Sequence, residues 1–350
     1  MRRARKGLLV RQGVWLALAA TLFPSSGAAF AAASSQDVAL APPPRLAEPG
    51  PVPVTGHPDP LSLLDDEDAT LAANKRLVFD MWRSVVNAGH VEVADDLLQP
   101  DYIQHSPVLP TGRDAFKTIF SAVPRREIPA LVSPPLVTIL AEGDLVVMAL
   151  AEEQALASGD GRYTTTHFNL FRAERGRLAE HWHSVQTAPG ADVLPPESGG
   201  PQPVTGAVGS AQLALLQAAD PVLTGNKRFV FDAWRQVIQA GREDLADRYF
   251  AGGYIEHDPN FGSGLPALER RLAAQPDEPV AQAIDAPLVT VLAQGDLVVL
   301  VYGREHPQPH RVGKTYTTTL FDMFRITDGR IAEHWNGASR PDAAVPEYGN

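Results

Sequence analysis

Cysteine is absent from all 350 residues. That excludes disulfides, thiolate nucleophiles, cysteine-bearing metal sites and a lipid-modified N-terminal cysteine. Long apolar runs are scarce as well. The run "VWLALAATLF" is too short to span a bilayer as a mature helix, and no later stretch is apolar enough to be a membrane span. Positive charge is in the minority: 30 Lys and Arg stand against 41 Asp and Glu, a formal charge of −11. Such an acidic chain is a poor binder of nucleic acid or anionic lipid, so neither is expected as a partner.

What is present begins with Arg2, Arg3, Arg5, Lys6 and Arg11 ahead of that apolar run, and "PSSGAAFAAA" after it. Small residues surround cleavage points after Ala31 or Ala33. The pattern predicts a bacterial signal peptide over residues 1–33 and a periplasmic or secreted mature protein that does not touch the membrane after cleavage. Removing those residues takes away five basic groups and no acidic one, which moves the formal charge from −11 to −16. Residues 34–66 contain "APPPRLAEPGPVPVTGHPDP" and are expected to be a Pro-rich, disordered tether. A second break, "TAPGADVLPPESGGPQPVTG", leads into a linker over residues 189–222. Both breaks end in the same four letters, Pro53-Val54-Thr55-Gly56 and Pro203-Val204-Thr205-Gly206.

That coincidence belongs to a long repeat. "NKRLVFDMWRSVVNAG" from Asn74 matches "NKRFVFDAWRQVIQAG" from Asn226 at an offset of 152, which persists through "YIQHSP" and "YIEHDP". "PLVTILAEGDLVVM" and "PLVTVLAQGDLVVL" keep it, and "YTTTHFNLFRAERGRLAEHW" and "YTTTLFDMFRITDGRIAEHW" follow at 153. Each copy opens with apolar residues at helical spacing: Phe79, Trp82, Val85 and Val86, then Phe231, Trp234, Val237 and Ile238. Gly89 and Gly241 stand where the helices would end. A short second helix, a brief strand, a third helix and four strands complete the order α-α-β-α-β-β-β-β. This predicts an α+β fold in which helices cover one face of a curved antiparallel sheet. Domain 1 is expected over residues 67–188, domain 2 over 223–340, and a tail over 341–350.

The segments "NKRLVFDMW", "YIQHSP", "EGDLVV" and "FDMFRITDGRIAEHW" resemble the SnoaL-like branch of the nuclear-transport-factor-two-like superfamily, most closely its aldol-condensation group. The resemblance covers both copies and leaves out the leader and linkers. It implies two tandem cone-shaped α+β barrels, each with three N-terminal helices and a pocket between helices and sheet. It also implies, for cyclases and isomerases of the group, a pocket carboxylate that moves a proton beside a carbonyl. Other members only bind ligands or partners.

The copies differ after their shared Glu-His-Trp: Glu180 to His183 reads "EHWH" and Glu333 to Asn336 reads "EHWN". The resemblance leads one to expect Asp after the Trp, and neither copy has it. On a strand, His181 and His183 share a face, as do His334 and Asn336. A two-residue turn needs positive φ twice, which suits Asp328-Gly329 but not Arg175-Gly176. A three-residue loop serves both copies and would pair Asn169 with His181 and Asp322 with His334. One face then gathers His167, Asn169, His181 and His183 in the first copy, and Asp322, His334 and Asn336 in the second. Buried polar residues of this kind need partners or a wet cavity, so this face is assigned to the pocket.

A desolvated carboxylate with a histidine beside it suits proton abstraction next to a carbonyl. Asp322 is the candidate base, with His334 and His257 as candidates to orient the substrate, while the first copy would have to use His183 or His181. By the resemblance, Tyr102, His105, Tyr254 and His257 lie near the pocket mouth; for the two histidines, capping a loop is the alternative. Glu180 and Glu333 can pair with Arg172 and Arg325 on the neighbouring strand. No metal and no cofactor is expected, since the second copy replaces much of the first copy's imidazole set. Three classes stay open: an acid/base enzyme on a small carbonyl compound, a small-molecule binding protein, and an interaction module. The duplication also suggests that the two domains pair within one chain.

Overall fold

The computed structural model describes residues 49–184, 193–308 and 310–343. The expected leader and the start of the tether lie outside these residues, as does most of the tail. Each copy opens with a helix capped by aspartate. In α1 (Ala69–Met81), Asp68 accepts from the backbone N–H of Thr70 and Leu71; in α4 (Pro221–Ala233), Asp220 accepts from Val222 and Pro221 fills the first turn. Both helices run on through a π-helical turn, Trp82–Val86 or Trp234–Gln239. They stop at Gly89 and Gly241, whose φ of 70° and 69° suits glycine. Short helices α2 (Ala94–Leu97) and α5 (Ala246–Tyr249) follow, then strands β1 (Leu98–Gln104) and β6 (Phe250–Glu256). Helices α3 (Arg113–Phe120) and α6 (Leu265–Ala273) precede the main strands. These are β2 (Leu136–Glu142), β3 (Leu145–Ala155), β4 (Arg162–Glu174) and β5 (Arg177–His183), then β7 (Leu288–Gln294), β8 (Leu297–Pro307), β9 (Thr315–Thr327) and β10 (Arg330–Asn336).

The element order is the expected one. Among the described residues the strands form two five-stranded sheets, ordered β1-β5-β4-β3-β2 and β6-β10-β9-β8-β7. One correction concerns direction: β1 runs parallel to β5 and β6 parallel to β10, so each sheet is mixed. A parallel neighbour needs a long crossover, here supplied by α3 with three strands, or by its counterpart.

Strand alternation splits each sheet into two faces. One face packs on its own helices: Phe79, Phe116, Met148 and Phe171 share a core in the first copy, and Phe231, Leu268, Leu300 and Phe324 in the second. The other face meets the other copy. Phe168, Leu170 and Trp182 join Phe321, Met323 and Trp335 in a third core, where Phe168 stacks on Phe321 with ring centroids 5.3 Å apart. Polar contacts flank this core, among them Lys227 Nζ to Glu142 Oε1 at 2.5 Å. The pairing suggested by the duplication is thus present as a buried sheet-to-sheet contact.

The Pro-rich segment is expected to be a free tether, but from residue 49 onward, although most of its residues are exposed, it is pinned to the two copies. Val54 and Val204, the valines of the two "PVTG" motifs, are both buried in the core between the sheets. Around each valine the chain bridges both copies. Val52 N–H donates to Glu256 O of the second copy, and His57 N–H to Leu136 O of the first. Gln202 N–H donates to Gln104 O of the first copy, and Ala207 N–H to Leu288 O of the second. The repeated motif is therefore a pair of straps. Proline keeps the backbone extended, which allows pairing with an exposed strand edge as well as solvation. Residues 340–343 also pack on the first copy, with Ala157 N–H donating to Asp342 O.

Candidate active site

The turn geometry overturns the expected register and keeps the expected face. Arg175 and Gly176 form a two-residue turn with φ of 53° and 75°, as do Asp328 and Gly329 with 51° and 71°. A two-residue turn alone would have put His181 and His334 on the wrong side. A bulge near Ala179, and another near Ala332, adds one residue and restores the parity. Asn169 therefore lies opposite His183, and Asp322 opposite Asn336, two residues beyond the expected pairing. The side chains still meet: His181 Nε2 is 3.0 Å from Asn169 Oδ1 and His334 Nε2 is 2.9 Å from Asp322 Oδ1.

In the second copy this face carries a buried line of charge. His334 sits between Glu256 Oε1 at 2.8 Å and Asp322 Oδ1 at 2.9 Å, with its ring stacked on Phe324. With acceptors on both nitrogens, the ring donates twice and is an imidazolium. Tyr254 donates to Glu256 Oε2 at 2.8 Å, and Tyr302 to Asp322 Oδ2 at 2.6 Å. Burial disfavours the His334 cation, but Glu256 and Asp322 outweigh it and hold its pKa up to about 10. Burial likewise opposes the Glu256 charge, yet His334 and Arg271 hold that carboxyl below its ordinary range. Burial, reinforced by the adjacent carboxylates, lifts both tyrosines well above the usual phenol value, so they stay neutral donors. Asn336 is oriented at both ends: Nδ2 donates to Asp258 Oδ2 at 2.7 Å and Oδ1 accepts from Ala338 N–H. Above the line opens a cavity of about 280 Å³, whose wall includes Trp234, Phe261, Tyr302, Asp322, His334 and Asn336.

The first copy builds the same frame without the charge. Gln104 stands at the place of Glu256, Asn169 at that of Asp322, Ser106 at that of Asp258 and Leu150 at that of Tyr302. His181 lies between Gln104 Oε1 at 2.8 Å and Asn169 Oδ1. With no carboxylate to oppose burial, and with His167 and His105 nearby, its pKa falls to about 3. Gln104 Nε2 and the Tyr102 hydroxyl are buried without partners in this arrangement. Reversing the Gln104 amide lets Nε2 donate to a neutral His181. His183 Nε2 faces His167 Nε2 at 2.6 Å, His167 Nδ1 lies 3.1 Å from Glu152, and burial pushes the His183 pKa well down. One shared proton between these two rings satisfies that contact.

Of the expected site residues, Tyr254, Asp322, His334 and Asn336 come together at the cavity, and Tyr102, His167, Asn169, His181 and His183 gather at the equivalent place. His105 and His257 do not belong there. Strand alternation sends Tyr254 and Glu256 inward and His257 outward, where it stacks on Trp335, pairs with Glu333 and binds the strap at Val52 O. His105 does the same with Trp182, Glu180, and the carbonyls of Gln202 and Pro203. Both therefore cap a passing segment, and Glu180 and Glu333 pair with Arg172 and Arg325 beside them. His105 thus lies apart from His167, His181 and His183, and among the described residues no group of three or more His, Cys, Asp or Glu side chains is arranged to hold a metal ion. Sequence reasoning missed Glu256, Tyr302 and Arg271. The signal lay in the repeat, where "YIQHSP" and "YIEHDP" differ at the two positions that carry the added carboxylates.

A family model for the SnoaL-like domain matches residues 79–181 and 231–334. No curated protein matches the chain. Solved structures align with about one copy each. A putative SnoaL-like polyketide cyclase from Jannaschia sp. CCS1 is 19% identical over 34% of this chain and 89% of its own, with a TM-score of 0.26. A putative polyketide cyclase from Acidithiobacillus ferrooxidans is 21% identical over 32% and 85%, with a TM-score of 0.24. An epoxide hydrolase of M. tuberculosis, described as LEH-like, is 14% identical over 33% and 83%, with a TM-score of 0.25. Matched twice, over more than half its length and with the same helices and sheet in each match, the chain belongs to the SnoaL-like domain family as a tandem pair.

Proposed function

We propose that the second copy is an acid/base site that moves a proton beside the carbonyl of a small organic molecule, and that the first copy has lost this chemistry. The observation that carries the reading is the buried line Glu256, His334, Asp322, Tyr302 under an apolar-walled cavity, set against Gln104, His181, Asn169 and Leu150 in the first copy. Asp322 has one bond to each oxygen from Tyr302 and His334, which leaves lone pairs to take a proton from carbon. The C–H electron pair then moves into an enolate, whose oxygen meets the second hydrogen of the Asn336 amide. His334 keeps its charge throughout and stabilises Asp322 in place, so it acts as a positioning residue. Asn169 cannot act as a base, and burial keeps His181 without a charge. The basic, apolar, then small-residue beginning of the chain supports export, so the proposed place of action is the periplasm or the medium.

The test is α-hydrogen exchange in deuterated water, followed by proton NMR, over a panel of aryl methyl ketones and 1,3-dicarbonyl compounds. The expected result is exchange by the full chain that drops about a hundredfold or more in Asp322→Asn, the size of a general-base contribution. Asn169→Ala should leave it unchanged. Saturable binding with no exchange would instead make the protein a binding protein, and exchange that survives Asp322→Asn would remove Asp322 from the role.

A further inference from the structure

The cavity of the second copy holds a cation that the proton-transfer chemistry does not use. Arg271 lies on α6 at the cavity wall, with its guanidinium over the Phe261 ring at 4.2 Å from the centroid. Its nearest carboxylate contact is Glu256 Oε2 at 3.7 Å, beyond hydrogen-bond length. Glu256 is already engaged on both oxygens: Oε1 accepts from His334 and from Asp258 N–H, and Oε2 accepts from Tyr254. Arg271 therefore lines the cavity in a long ion pair with Glu256, and among the described residues no carboxylate lies within hydrogen-bond length of it. The first copy has Ile119 at the corresponding helix position and Leu109 at that of Phe261, so the cation and the ring beneath it occur together and only where the carboxylates occur. A ring held under the guanidinium fixes its plane and leaves its N–H edge to meet a planar anion, which arginine does better than any other side chain.

We infer that the substrate is an aromatic or otherwise flat keto acid, bound with its carboxylate on Arg271 and its acidic C–H toward Asp322. The inference rests on reading this cavity as the working site. The arrangement also sets the direction of binding. Asp322 repels an anion on the sheet side of the cavity, while Arg271 attracts one on the α6 side, so the carboxylate and the reacting carbon occupy opposite sides. Trp234 and Phe324 supply apolar walls for the body between them. At about 280 Å³, the space suits a molecule of one ring and a short side chain.

Phenylpyruvate and its methyl ester make the test, since one methyl group removes the charge offered to Arg271 and leaves the ring and the acidic C–H in place. Affinities are read by calorimetry on the full chain, and keto–enol conversion by the absorbance of the enol. The acid should bind about 10- to 100-fold more tightly than the ester, the range expected of one charge-assisted contact. Arg271→Met should erase that preference while ester affinity and the circular dichroism spectrum stay as they were. Asp322→Asn should keep the preference and lose conversion. Equal binding of acid and ester, no binding of the acid at millimolar concentration, or a preference that survives Arg271→Met would overturn the inference. A preference without conversion in the unaltered chain would leave the carboxylate site standing and remove the proton-transfer reading instead. If Arg271 served only as a distant counter-ion to Glu256, its loss would shift the His334 titration without touching the acid-to-ester ratio.

Discussion

His334 is expected to titrate at about 10 and His181 at about 3, although the two rings occupy the same place in duplicated domains. Imidazole carbon and nitrogen shifts of selectively labelled protein, followed against pH, measure both directly. The stability consequences have opposite sign. His334 is raised above its unfolded value of 6.5, so its contribution is complete below that pH and is lost as pH climbs toward about 10. His181 is lowered, so its contribution is complete above 6.5 and is lost as pH falls toward about 3. Each proton taken up or released on unfolding changes stability by about 1.4 kcal/mol per pH unit. Glu256 complicates the acid side: its lowered pKa means that the second copy also loses stability once pH drops through the unfolded value of 4.5. The useful windows are therefore 4.5 to 6.5, where the first copy weakens through His181 and His183 while the second weakens only through the half-buried His306, and 6.5 to about 10, where the second weakens through His334. Hydrogen exchange by mass spectrometry resolves the copies, since peptides from β5 and β10 report separately. Two histidines titrating together near 6.5 would show that neither site has the polarity described.

The sequence made the frame legible because the frame is built from short-range rules. Helical spacing of Phe79, Trp82 and Val85, glycine stops and alternating strands each state their own local structure, and the repeat states them twice. The face shared by Asp322 and His334 was legible for the same reason, since a period of two survives any register error of two. The register itself was not. A left-handed Arg175 looks unfavourable locally, and its cost is met by strand pairing on both sides together with a bulge, which no local pattern marks. His105 and His257 were misplaced because they were grouped with the tyrosines by proximity in sequence, whereas β1 and β6 turn successive residues to opposite faces. The straps were misread because proline content reports extended backbone and says nothing of whether a strand edge waits for it. Glu256 was the costliest omission. Subtracting one copy from the other would have found it, because Gln104/Glu256 and Asn169/Asp322 are amide-to-carboxylate differences that meet on one histidine, with Ser106/Asp258 adding a third carboxylate beside Asn336.

That convergence gives the largest expected stability difference. His334→Gln should destabilise the protein by about 3–5 kcal/mol, because it leaves Glu256 and Asp322 buried with no cation between them. His181→Gln removes a ring of the same size from the same place in the first copy, yet its partners are neutral amides, so the cost should be about 1–3 kcal/mol. Shape loss is common to both substitutions, so the difference between them isolates the charge. Urea denaturation at neutral pH measures it, with the two copies followed through the exchange of their own peptides, since a tandem protein need not unfold in one step. The comparison belongs at neutral pH, because acid lowers both costs: Glu256 of the His334→Gln chain takes up a proton and is buried at lower cost, while His181→Gln escapes the acid penalty of a ring that burial keeps neutral. A second chain, His334→Gln with Glu256→Gln and Asp322→Asn, rebuilds the neutral set of the first copy around a glutamine and should recover most of the loss. Equal costs for the two single substitutions would mean that the charge is already screened by water in the cavity, and the buried line of charge would then lose its claim to set the pKa of His334.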